Sequence, residues 1–450
     1  MSAVLGDGLL GVALLSARSA VRSWLVRSAA IALVTAPLLL APTTDGDGTP
    51  VGRMRAYLAL AGGCASLVLA LVAVFLPARL ARDLGRGQLT QAVIAPVPRP
   101  VLVVAWWLGT SAVLAVLVAL AYAALGLGTQ GVLFTLKSDA ERAEARVVLA
   151  ARGVAEAERP DEDVFVRAGQ EQLTKLVTEG RLPEGVAPEE ALQRLIEAAE
   201  LRSRSLPRGA RRGWKVRGLS GVRPDGGPLA LRFRFQARRT TPADPGKEGV
   251  PLLLLVGDRE KQGVYEPIQR HELPVPAEAV AGQDEVLVGV QNLARDDVVV
   301  IFPREGPALL YPAGGLTQNL VRAAWVELLR LCFLVAVGVA AAAVLDAKLA
   351  SLCVLFVLAL GYGQGFLQDS LKPGLFGPLD APVLALLRAV LWVLPDLGRA
   401  ELSALLAGGE LVSDDLLAAG FLDVLVRGGI VLGLGAFLFQ GRELGVGRER

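Results

Sequence analysis

Six runs of this chain are at least eighteen residues long and carry at most two charged side chains each. They are about Trp24 to Ala41, Ala56 to Ala78, Val101 to Leu127, Trp325 to Leu345, Leu349 to Phe366 and Gly420 to Gln440. A helix needs about 20 mainly apolar residues to cross the hydrocarbon core of a bilayer, so the pattern predicts six membrane spans. Composition agrees: 53% of the 450 residues are hydrophobic, only 20% are charged, and the mean hydropathy is +0.49. That is too apolar for an ordinary soluble protein of this length. Cys64, Cys332 and Cys353 all fall within or beside these runs, as small buried hydrophobes would, and supply neither a disulfide framework nor paired metal-ligand spacing.

With six spans both termini share one side. Arg18, Arg22 and Arg27, the loop arginines Arg79, Arg82, Arg86 and Arg99, then Lys348, and finally Arg442, Arg448 and Arg450 would all face the cytoplasm. Arg53, Arg55 and Arg427 flank the opposite side, which moderates the bias. Arg18 and Arg22 precede the first run, and no small-residue cleavage site follows it, so it reads as an uncleaved span behind an amphipathic lead-in.

The one large polar portion, 128–320, then lies outside the cytoplasm. Its first part, 136–205, reads as helical: SDAERAEARVVLAAR opens with Ser138 and carries Glu141 three residues on, a capping-box pattern. APEEALQRLIEAAELRSR repeats the style, with Leu192, Leu195 and Ile196 on one face. From Trp214 the period becomes two: Leu229, Leu231, Phe233 and Phe235 alternate with Ala230, Arg232, Arg234 and Gln236. PLLLLVGD, EVLVGVQNL and DVVVIFP read as further strands of a β-sandwich over 210–305. The fold class expected is a multi-span α-helical membrane protein with an α+β extracytoplasmic domain.

Little in the chain points to catalysis. His271 is its single histidine and reads as a solvated residue at a strand edge, so a triad or a multi-histidine metal site would have to be built around it alone. PDEDVF, 160–165, reads as a loop and a helix start. There is no GxxxxGK[ST] phosphate loop, and GLGAFLFQG in the last run suits close helix packing. No metal and no cofactor is expected in the chain itself. A balance of 46 basic and 44 acidic residues gives no reason to expect a nucleic-acid partner. Glu327 and Arg330, three apart near the outer end of the fourth run, are the candidate polar membrane site. Arg322 lies near them, where long side chains reach the interface, and Asp423 and Arg427 are spaced as a helical ion pair. APVLALLRAVLWVLP, 381–395, is interrupted by Arg388 and closed by Pro395; an interfacial or re-entrant helix over 381–400 is the reading, a seventh span the rival.

One polar stretch carries a resemblance. LPARLARDLGRGQLTQAVIAPVPRPVLVVAWWLG, 76–109, resembles the first cytoplasmic loop of ABC-transporter permeases of the type-2 exporter class. Asp83, Arg86, Gly87, Leu89, Pro96, Val97 and Arg99 match its motif, within a coupling loop at 79–100. The ending GIVLGLGAFLFQGREL, with Arg442 and Glu443, resembles the way such permeases close, and the order of elements agrees from about 10 to 127 and 318 to 450. The nearest likeness is to copper-enzyme-maturation-type permeases with a large extracytoplasmic insertion, although Ala105 and Trp106 stand where those often carry Gly-Lys. The resemblance implies membrane helices 1–3 in 1–127, an inserted domain in 128–320 and membrane helices 4–6 in 321–450. It also implies a bacterial inner membrane, a separate ABC ATPase subunit that holds ATP and Mg, and a homodimer or a second permease chain. The alternative is a membrane-anchored extracytoplasmic binding or sensor protein without transport.

Overall fold

The structure, a computed structural model, describes residues 2–85, 98–182, 188–219, 222, 229–239, 249–280, 282–294, 297–370, 381–398 and 401–441. It divides into two compact units, Met1–Ala151 with Gly314–Arg450, and Arg152–Ala313.

The first unit is helical. In chain order it contains α1 (Ser2–Val21), α2 (Trp24–Thr43), α3 (Pro50–Phe75), α4 (Ala78–Gly85), α5 (Arg99–Thr135) and α6 (Asp139–Leu149). In the second unit lie α7 (Glu162–Thr178) and α8 (Pro188–Ser203). The first unit resumes with α9 (Leu316–Val344), α10 (Ala347–Tyr362), α11 (Gln364–Ser370), α12 (Ala381–Val393), α13 (Leu402–Ala407), α14 (Asp414–Leu422) and α15 (Gly429–Gln440). Side-chain caps fix several starts: Ser23 accepts from the Val26 N–H, Thr49 from the Gly52 N–H, and Asp346 from the Lys348 and Leu349 N–H groups. Five of these helical stretches are long and apolar enough to cross a membrane: Trp24–Thr43, Pro50–Arg82, Arg99–Thr135, Leu316–Val344 and Asp414–Gln440. At 1.5 Å per residue the 37-residue α5 is about 55 Å long, well beyond a hydrocarbon core of about 30 Å.

Six spans are expected from the sequence, and the fifth differs. Leu349 to Phe366 is not one long helix: α10 has 16 residues, about 24 Å, and stops at Tyr362 before the shorter α11. Gly361 lies under Leu397, and the Leu397 N–H bonds the Gly361 carbonyl, so the chain after α12 packs onto the end of α10. The 381–395 segment is helical over Ala381–Val393, 13 residues, too few to span.

Close helix approaches account for the packing of this unit. A Cβ on Gly128 of α5 would collide with the Tyr57 hydroxyl of α3, on Gly109 with the Ala13 carbonyl of α1, and on Gly435 of α15 with Ala340 of α9. Without a strong hydrophobic drive between helices in lipid, such small residues bring backbones into contact.

The second unit holds β1 (Ala151–Glu156), β2 (Ser205–Leu206), β3 (Arg211–Arg217), β4 (Leu229–Phe233), β5 (Gln236–Arg239) and β6 (Val250–Val256). These are followed by β7 (Arg259–Tyr265), β8 (His271–Val275), β9 (Glu285–Asn292), β10 (Val298–Ile301) and β11 (Ala308–Gly314). They form three sheets, ordered β1-β11-β4-β8, β2-β10-β5 and β3-β9-β6-β7, around one core that includes Phe233, Phe235, Leu252, Val288 and Phe302. The alternating 229–236 segment expected as one strand is two, β4 and β5, in different sheets, while Leu229, Leu231, Phe233 and Phe235 all stay buried. The chain crosses from one sheet to the next without losing its inward face, as strands do at the corners of packed sheets. Within the expected helical stretch 136–205 lies strand β1, and α6 ends at Leu149 although the helical pattern continues to Arg152.

Candidate functional site

Two sets of contacts define the ends of the helical unit. At the first, Pro77 follows Leu76 and breaks the long apolar helix into α3 and α4, an elbow that packs against Gly338 of α9. The Arg79 guanidinium donates to the Ser19 carbonyl of α1 at 3.1 Å. Arg99, in the first turn of α5, donates to the Gln440 carbonyl at the end of α15 at 2.7 Å, and Trp106 meets Phe439 edge-on at 6.2 Å. At the second end, Asn319 of α9 donates to the Glu410 carbonyl at 2.7 Å and accepts from the Val412 N–H at 2.8 Å. Arg322 donates to the Val412 carbonyl and pairs with Asp414 at 2.9 Å.

Of the expected coupling-loop residues, Asp83 lies in α4 and Arg99 in α5, so the described chain enters and leaves the stretch at the first end. Arg86, Gly87, Leu89, Pro96 and Val97 lie outside the described residues. Helix α4 rests on α9 and α10, with Leu80 and Ala81 buried. The loop's two flanks therefore touch α1, α9, α10 and α15.

Glu327 is buried in the helical unit and Arg330, on the same helix, is half-buried. Glu327 is 6% exposed, its carboxyl has the Ser66 hydroxyl of α3 and the Arg330 guanidinium as neighbours, and the pair acts electrostatically on Tyr122 of α5 and Tyr362 of α10. α3 and α9 thus bring polar side chains together in an apolar bundle. Asp423 and Arg427 pair at 2.6 Å as expected, but on a π-helical turn, Asp423–Gly428, which links α14 to α15. Such single π-turns inside helices are frequent at functional sites.

In the second unit, His271 opens β8, an edge strand as expected, but it is not fully solvated. It is half-buried, its ring lies 5.2 Å from Phe233 and 5.3 Å from Tyr265, and Nε2 sits 2.8 Å from the Glu266 carbonyl oxygen. The aromatic neighbours and this bond make it part of the packed edge of the core. Outside the helices, Lys215 and Arg217 both bond Glu285 and hold its carboxyl below its ordinary value. Among the described residues, no three of His, Cys, Asp and Glu gather where they could hold a metal ion.

Sequence reasoning missed Ser66, Tyr122, Tyr362 and Asn319. Each lies within an apolar helix, and only Asn319, an amide at the start of a span next to Arg322, carries a signal of its own. Comparison with protein-family models, characterised proteins and solved structures returns no match.

Proposed function

We propose that this chain is the membrane-spanning permease subunit of an ATP-driven ABC transporter, an exporter, that couples to a separate ATPase. The observation that carries the reading is the convergence at the first end: the flanks of the 79–100 loop reach α1 through Arg79, α15 through Arg99, and α9 through Pro77. A partner pressing on this loop would push on the helices it is bonded to, which is what transmission of an ATP-driven motion requires. The buried Glu327 and its half-buried neighbour Arg330 would then line the path whose access changes, since ionisable groups kept inside a membrane bundle mark substrate or ion routes by default. In this reading ATP and Mg reside on the partner, the termini lie in the cytoplasm of a bacterial inner membrane, the β-rich unit lies outside, and two permease chains form the pore.

The test is affinity purification of the tagged chain in mild detergent, beside a variant with Asp83, Arg86, Leu89 and Arg99 changed to alanine. The expected result is a P-loop ATPase with the native chain and none with the variant. An external protein in both samples, with no ATPase in either, sinks the permease reading. It would favour the second one, a membrane-anchored binding or sensor protein, whose support is the separate core of the β-rich unit.

A further inference from the structure

Inside the elbow at the first end lies a cavity of about 80 Å³, lined by Ser16 and Ser19 of α1, Arg79 and Leu80 of α4, and Trp106 and Thr110 of α5, among others. A water needs roughly 10–15 Å³ measured this way, so there is room for a small polar group with its waters. The wall chemistry is unusual for an apolar bundle. Arg79 places one N–H on the Ser19 carbonyl, among the described residues no carboxylate pairs with it, and its guanidinium lines the cavity with further N–H donors. Thr110 is 6% exposed, and among the described residues no hydrogen bond holds its hydroxyl.

We propose that this cavity binds a phosphate-bearing anion, the headgroup of an anionic phospholipid. A guanidinium presents parallel N–H donors that match phosphate oxygens, and the hydroxyls of Ser16 and Thr110 supply the neutral donors beside it. The lipid is favoured over free phosphate by exposed apolar side chains on α1 and at the start of α2. Leu15, itself a lining residue, is 56% exposed, Leu14 is 58% exposed, and Trp24 at the start of α2 is 79% exposed. These apolar side chains would lie among acyl chains, with tryptophan at headgroup depth. The site needs no ATPase and no transport, so it stands or falls apart from the permease reading.

The experiment measures the thermal unfolding midpoint of the full chain in detergent against dioctanoyl phosphatidylglycerol, dioctanoyl phosphatidylcholine and inorganic phosphate. Phosphatidylglycerol is expected to raise the midpoint saturably and phosphatidylcholine to do much less. Arg79→Gln should weaken the apparent affinity about tenfold, the loss of one charged hydrogen-bonding partner. Thr110→Val, which keeps the volume and the helix, should weaken it by a smaller factor and decides the matter if the arginine variant does not fold. A saturable shift with inorganic phosphate alone would overturn the lipid assignment while leaving a phosphate site. Equal shifts with both lipids, or variants that respond like the native chain, would overturn the site itself.

Discussion

Asn292 shows how much a single side chain can hold. It is fully buried in the second unit, donates through Nδ2 to the carbonyls of Leu206 and Val298 at 3.1 and 2.7 Å, and accepts at Oδ1 from the Ala294 N–H at 3.0 Å. Asn292→Ala would strand three backbone groups, and a loss of about 3 kcal/mol is expected in urea unfolding of this unit. Asn292→Asp should cost more, because a carboxylate cannot donate to two carbonyls. Glu285 offers a pH-dependent counterpart. Its folded-state carboxyl is held below the ordinary 4.5 by hydrogen bonds from Lys215 and Arg217. A depressed pKa stabilises the fold above 4.5, and the benefit fades as pH falls through the folded value. Glu285 is at the surface, so the effect is small; Glu285→Gln should flatten the dependence of stability on pH below about 5, and a native-like slope in the variant would refute the assignment.

Among elements, α6 was readable to the residue at its start. Ser138 and Glu141 form the reciprocal capping box that their spacing predicts, and Ser138→Ala should cost about 1 kcal/mol, seen as faster amide exchange in the first turn of α6. Its end was not readable, because Ala151 to Glu156 join β11 in a sheet, and a strand pairing with a distant partner overrides local helical preference. The same limit applies to β4 and β5. Alternation showed which of Leu229, Leu231, Phe233 and Phe235 face inward, but period-two patterning does not record which sheet a strand joins. Apolarity also misjudged the fifth run. It continues to Phe366, while the helix stops at Tyr362, where Leu397 returns onto Gly361 from far along the chain. Gly361→Leu should therefore displace the 395–397 turn, and a bulky side chain tolerated there without loss of thermal stability would argue against this packing. For the polar cluster, Glu327 and Arg330 stood out as charges in an apolar run. Ser66 comes from another helix, and no spacing rule links it to them.

At the scale of the molecule, the second unit has its own core, and β1 and β11, which carry the chain into and out of it, are neighbours in one sheet. Residues 152–313 alone are therefore expected to unfold in one cooperative urea transition with native-like near-UV circular dichroism; a broad, non-cooperative transition would show that the helices are needed for its fold. The helical unit should in turn survive replacement of 152–313 by a short Gly-Ser linker, judged by retention of its thermal midpoint in detergent. Adjacent strands lie about 5 Å apart, so the two cut ends present themselves side by side. In engineering language the β-rich unit is a cartridge with a standard socket. Any compact module whose termini lie that close, a fluorescent reporter or a binding domain, could be seated in its place without the helices having to rearrange.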